Sequence, residues 1–240
     1  MIQRKITTFV LSTQHHIYNM KLLISAITKY LMGIILMGTL IFLPAGTLCW
    51  SNAWLLMAIL FIPMLLIGII MYIKSPKLLT KRLNNKEKRS EQKSVVALSA
   101  LIFIGGFIIA GLNHRFGWHT LPNYISYTFA TIFTIGYALY AEVMRENTWL
   151  SRTIEIQDNQ SVVSTGLYSI VRHPMYTATI LMYLSIPLIL NSIISLAIFL
   201  LYLPIIALRI NDEEQLLKTQ LPGYTEYCTQ VRWRLIPFIY

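Results

Sequence analysis

Runs of apolar residues separated by short polar stretches dominate the chain. They cover roughly Tyr30 to Leu43, Ala53 to Ile73, Val95 to Leu112 and Tyr124 to Ala141, followed by one very long run from Met175 to Leu208. A membrane-crossing helix needs about 20 mostly apolar residues and tolerates a minimum near 17, and these runs meet or approach that length. The last is too long for one crossing. Pro187 and then the polar pair Asn191-Ser192 interrupt it, and such a pair suits a tight turn. The pattern therefore predicts two short helices forming a hairpin, each near the minimum spanning length. The fold expected is an all-α integral membrane protein with about six transmembrane helices.

Composition agrees with this pattern. Of 240 residues 55% are hydrophobic and only 12% charged, about half the charged share of a soluble domain. The distribution of Lys and Arg sets the orientation. Arg4, Lys5 and Lys21 precede the first run, and Lys74, Lys77, Lys81, Arg82, Lys86, Lys88, Arg89 and Lys93 follow the second. Arg145, Arg152 and Arg172 follow the fourth, and Arg209, Lys218, Arg232 and Arg234 follow the last. Six crossings put all of these on one side, so both termini are expected in the cytoplasm. Juxtamembrane placement accounts for the net charge of +10 through topology and anionic headgroups, and nucleic acid is not a favoured partner. Lys74 to Lys93 reads as a basic, partly helical connector, solvated rather than part of a site. Cys49 and Cys228 fall on opposite sides of the membrane and are not expected to pair.

Ionisable chemistry gathers late in the chain. Eight of the ten acidic residues, Glu142, Glu146, Glu155, Asp158, Asp212, Glu213, Glu214 and Glu226, lie from the fourth run onward. Two units follow: residues 1–112, three spans acting as scaffold, and residues 113–240, holding the fourth span, a polar loop, the hairpin and a cytoplasmic tail. Pro174 fits the first position of a helix, where its missing N–H costs nothing. His173 then stands at the N-cap, and the N–H groups of Met175, Tyr176 and Thr177 form a candidate anion site. Arg209 and Glu213, spaced i, i+4, return to the same side at the far end of the hairpin. Tyr168, Arg172, His173, Tyr176, Arg209, Glu213 and Glu214 are thus expected to line one cytoplasmic pocket. Singly each has an ordinary role: lipid snorkelling for Arg172, a helix pair worth about 0.3 to 0.5 kcal/mol for Arg209 with Glu213, the interfacial aromatic belt for the tyrosines. Their convergence beside an apolar wall points to a ligand. No Gly-x-Gly is present, so the glycine-rich loop of soluble nucleotide-binding folds is missing, and no catalytic triad or metal cluster can be assembled.

The segments "VVSTGLYSIVRHPMY", "RINDEE" and "LPGYTEYCTQVRWRLIPF" resemble the isoprenylcysteine carboxyl methyltransferase family, which is related to the membrane phospholipid methyltransferases. The resemblance covers about the C-terminal 100 residues. It implies an enzyme of the multi-pass inner or cytoplasmic membrane that uses S-adenosyl-L-methionine at the cytoplasmic side and methylates the carboxylate of a lipidic or prenylated acceptor arriving from the bilayer. Carried over by position, it implies cofactor contacts at Gln160, Ser161, Val162, Val163, Tyr168, His173, Pro174, Met175, Tyr176 and Glu213, with Glu214 beside them. Arg209 corresponds to the acceptor-side arginine, and Glu213 and Arg172 join it as candidate catalytic residues. The family often has histidine where this chain has Gln160. A phospholipid amine N-methyltransferase, a membrane sterol-type reductase sharing the RHPxY pattern, and a non-enzymatic bundle stand as alternatives.

Overall fold

A computed structural model of the chain describes residues 2–83, 90–150, 156–157 and 159–240, with side chains outside 2–18 and 90–93. Of the basic residues used for orientation, Arg4, Lys5, Lys86, Lys88, Arg89, Lys93 and Arg152 lie outside the described side chains. The described residues form helices α1 (Ile2–Ala45), α2 (Ser51–Lys74), α3 (Pro76–Leu83), α4 (Ser90–Phe116), α5 (Asn123–Glu146), α6 (Pro174–Ile189), α7 (Ile193–Leu200), α8 (Tyr202–Gln220) and α9 (Tyr224–Gln230), with a 3-10 turn at Gly166–Ser169. No strand occurs among them.

Among the described residues four helical stretches are long and apolar enough to cross a membrane: Asn19–Ala45, Ser51–Lys74, Ser94–Phe116 and Ile193–Gln220. Their outward faces carry large exposed apolar residues such as Ile35, Leu36, Ile73 and Leu101, as expected of an integral membrane protein whose solvent is lipid. Helix α6, with 16 residues, extends about 24 Å, and α5, with 24 residues, packs closely along it. The buried core runs between α1, α2, α4, α5, α6 and α7, around Ile41, Leu56, Ala110, Phe133, Ile189 and Phe199. The boundary expected after Leu112 falls inside α4. That helix packs Phe103 and Phe107 edge-on against Phe199 of α7.

The hairpin forms at the expected place. Asn191 adopts a left-handed backbone (φ 56°), and Ser192 caps α7 by accepting a hydrogen bond from the Ser195 N–H at 3.2 Å. Its arms are unequal, contrary to the expectation of two short helices. The second arm continues through α7 and α8 for 28 residues to Gln220, with one break at Leu201. Pro204 explains the break, because its ring displaces the carbonyl four residues earlier and its nitrogen has no proton to donate. The extension carries Arg209, Glu213 and Glu214 beyond the apolar run on a rigid helix.

A buried polar network holds the hairpin tip. The Asn113 side chain donates to the carbonyls of His119 (2.8 Å) and Asn191 (3.3 Å) and accepts from the His119 N–H (3.1 Å). Ser126 donates to Asn191 and accepts from Asn52 of α2. Helices α1 and α4 meet closely at Gly111, where an added Cβ would stand 2.7 Å from the Ile41 carbonyl oxygen and 2.9 Å from Pro44 Cβ. Small residues permit such backbone approach in membranes. Gly111→Ala is expected to push the two helices apart and destabilise the fold by about 1 to 3 kcal/mol, read as a lowered melting temperature in detergent; an unchanged melting temperature would show that this crossing is loosely packed.

Candidate active site

The end of α5 anchors the polar segment. Glu146 accepts a hydrogen bond from the Leu167 N–H at 3.0 Å, folding the Gly166–Ser169 turn onto the helix. Gly166 has φ +53°, and a Cβ there would fall 1.4 Å from the Glu146 carboxylate, so both conformation and space require glycine. Tyr168 is then held at both ends: Asn147 donates to its hydroxyl at 2.9 Å, and the Tyr227 hydroxyl donates to its backbone carbonyl at 2.6 Å. Burial pushes the phenols of Tyr168, Tyr224 and Tyr227 well above their ordinary pKa, so all three stay protonated.

From Arg172 onward the chain pairs with the C-terminal tail. The N–H groups of Arg172 and His173 donate to the carbonyls of Trp233 and Arg234, both at 2.9 Å, and Thr177 Oγ1 donates to the Leu235 carbonyl at 2.7 Å. Pro174 opens α6 with His173 at the N-cap. The expected anion site is smaller than the sequence implied. The Tyr176 and Thr177 N–H groups donate to the His173 carbonyl (3.0 and 3.2 Å), leaving the Met175 N–H as the one without a partner among the described residues.

Glu214 organises the tail. It is 2% exposed; its Oε1 takes Arg172 Nε at 2.8 Å and faces His173 Nε2 at 3.1 Å, and its Oε2 takes Arg234 Nη2 at 3.0 Å with Lys218 Nζ at 3.7 Å. Arg172 Nη1 also donates to the carbonyls of Val231 and Arg232 (2.9 and 2.8 Å). One buried carboxylate thus ties the approach to α6, α8 and the tail together.

A cleft opens beside this knot. Its wall contains Gln160, Ser161, Val162, Val163, Tyr168, Arg172, His173, Met175, Tyr176, Arg209 and Glu213. Of the residues expected at the site, Pro174, Glu214 and Thr177 of the anion site stay out of that wall. Inside the cleft Arg209 Nε donates to the Tyr176 hydroxyl at 3.0 Å, and that hydroxyl donates to Glu213 Oε2 at 2.7 Å. The phenol therefore bridges the arginine and the carboxylate, a contact between α6 and α8 that helix spacing does not reveal. The Gln160 side chain turns into its own loop, where Oε1 accepts from the Gln157 N–H at 2.9 Å. Asn147, Trp149, Ile156, Leu217, Leu221, Tyr224 and Tyr227 also line the cleft. The sequence reading did not single out these residues, although the tyrosine-rich "GYTEY" was a visible signal for the last two. Among the described residues no group of His, Cys, Asp and Glu is arranged to hold a metal ion, and both cysteines are free thiols.

The cleft combines an arginine, a carboxylate, aromatic faces and backbone donors against an apolar wall, as an amphipathic ligand with both charges requires. Residues 128–219 match the family model described as isoprenylcysteine carboxyl methyltransferase (ICMT) family. The fold is similar to a solved structure described as the eukaryotic intramembrane Ras methyltransferase ICMT (isoprenylcysteine carboxyl methyltransferase) without a monobody. The TM-score is 0.55 and the identity 17%, over 98% of this chain and 93% of that one. No curated protein sequence matches the chain.

Proposed function

We propose, starting from a segment 128–219 that is isoprenylcysteine carboxyl methyltransferase-family sequence, that the chain is a membrane methyltransferase using S-adenosyl-L-methionine to methylate the carboxylate of a lipidic acceptor, prenylated cysteine being the family's namesake. The observation that carries this reading is the Arg209–Tyr176–Glu213 bridge within one cleft. It places a fixed cation and a fixed anion side by side, one for an acceptor carboxylate and one for a donor's amine or hydroxyls.

When bound, S-adenosylmethionine supplies an electrophilic methyl group on a cationic sulfur. The residues present fit it. Glu213 accepts from ammonium or ribose hydroxyls, Tyr168 and Tyr176 offer ring faces to adenine or sulfonium, and the Met175 N–H serves the donor's carboxylate. Ser161, Val162 and Val163 supply an extended wall, and because the Gln160 side chain is engaged in its own loop, its backbone is the part that serves the site.

Arg209 holds the acceptor carboxylate as an ionised nucleophile without changing protonation state. Transfer then needs alignment and removal of water more than acid or base help. A carboxylate clamp favours O-methylation over amine methylation, which would require a proton acceptor at that position. Pro174 and Glu214 position the cleft from behind, and Arg172 and His173, held by Glu214, complete its wall without contacting the reacting atoms.

The architecture proposed adds α5 and α6 to the four long spans, making six crossings, with the basic loops, both termini and the cleft on the cytoplasmic side of the inner or cytoplasmic membrane. The test is to supply purified protein in lipid with methyl-labelled S-adenosylmethionine and a simple prenylcysteine analogue. Base-labile label in the analogue is expected. Absence of donor binding would overturn the reading, whereas binding without transfer would point to another acceptor.

A further inference from the structure

The described part of the basic connector after α2 is not wholly a solvated loop. Part of it folds as α3, whose Leu79 is buried, and two of its cations, Lys81 and Arg82, lie beside aromatic rings. Lys81 Nζ lies 5.5 Å from the centre of the Trp149 ring, and the Arg82 guanidinium lies 5.3 Å from that of Tyr140. Trp149 is a wall residue of the cleft.

Lys81 Nζ also donates to Gln157 Oε1, and Gln157 is the hub of the wall loop. Its Nε2 donates to the Trp149 carbonyl at 2.5 Å, its N–H to Gln160 Oε1 at 2.9 Å, and its carbonyl accepts from the Gln160 N–H at 3.1 Å. One ammonium thus fastens both Trp149 and the start of the extended stretch Gln160–Val163. A lysine on a solvated connector keeps its rotamer freedom. This one is held by a ring face and an amide oxygen together, a pairing that fixes an ammonium for a structural task.

We infer that Lys81 is a positioning residue for methyl-donor binding. Acting through Gln157 and Trp149, it holds the loop wall of the cleft in the shape the donor occupies, so a residue of the N-terminal half sets donor affinity without touching the donor. The inference rests on the methyltransferase reading.

The experiment measures S-adenosylhomocysteine binding calorimetrically, and steady-state transfer, for wild type, Lys81→Ala, Lys81→Arg, Gln157→Ala and the Lys81→Ala/Gln157→Ala pair, all as full-length protein in lipid discs. Lys81→Ala is expected to raise Kd about tenfold, with donor KM rising in step and both kcat and acceptor KM staying within about twofold. Lys81→Arg keeps a cation for the ring and a donor for Gln157, and restores Kd to within about threefold of wild type. The double variant's penalty falls short of the sum of the two single penalties, because both changes cut the link between Lys81 and Gln157. An unchanged Kd in Lys81→Ala, additive penalties in the double variant, or a loss of kcat that saturating donor does not recover would each overturn the role of Lys81 while leaving the methyltransferase reading intact. A wild type that does not bind S-adenosylhomocysteine would overturn that reading and this inference with it.

Discussion

Replacing Arg209 by alanine is expected to lower kcat/KM for the prenylcysteine analogue by about a hundredfold or more, while the Kd for S-adenosylhomocysteine changes by no more than about threefold. The split follows from the bridge in the cleft. Arg209 Nε is held by the Tyr176 hydroxyl, which fixes the guanidinium's plane before any acceptor arrives. Glu213, the group assigned to the donor, keeps its own hydrogen bond from the same hydroxyl and so survives the change. Arg209→Lys should recover little, because a compact ammonium on a flexible stem lacks the planar fork that matches a carboxylate. Tyr176→Phe removes the fixing group without removing charge, and a loss of about tenfold in kcat/KM is expected from it. Steady-state kinetics with each substrate varied, together with calorimetric donor binding, would separate these effects. Near-normal transfer by Arg209→Ala would remove the arginine from the acceptor site. Lost S-adenosylhomocysteine binding would instead place it on the donor side.

The largest stability effect is expected at Glu214. This carboxylate is 2% exposed and has the Arg172, His173 and Arg234 side chains within hydrogen-bonding distance. Removing one member of a buried charge cluster leaves the others desolvated and unpaired, which costs about 3 to 5 kcal/mol. Glu214→Ala should therefore release the tail from α6 and α8. The expected readings are a markedly lower melting temperature and early proteolysis near Trp233. Glu214→Gln keeps the shape and part of the bonding but cancels the charge, and should fall between. If Glu214→Ala melts like wild type yet loses only donor affinity, the residue belongs to the donor site, as the resemblance implied, and the tail is held by its backbone pairing alone.

These two predictions divide along what could be read from the chain. Arg209 and Glu213 are legible because each signal is local: an apolar run ends, a charged turn follows, and the run is long enough to double back. Pro174 at a helix start and Asn191-Ser192 at the turn are legible for the same reason, since dihedral preference and capping depend on near neighbours. The membrane class needed only hydropathy. Glu214 was equally visible, one residue from Glu213, yet its task was not. A helix turns about 100° per residue, so adjacent glutamates face different surroundings, and only the packed structure shows which one meets the cleft.

Burial is the quantity the sequence did not contain. It decides that Arg172 serves the tail, that Tyr176 stands between Arg209 and Glu213, and that Lys81 leaves a basic connector to brace Trp149. Each of those contacts joins residues far apart in the chain, from 33 positions for Tyr176 and Arg209 to 76 for Lys81 and Gln157. The sequence by itself determined a helical membrane protein with a polar knot at the mouth of a hairpin, because apolar run length, proline and charge act locally. Only the tertiary structure decided which members of that knot face the cleft and which are locked behind it, because desolvation and charge pairing depend on neighbours brought together by the fold.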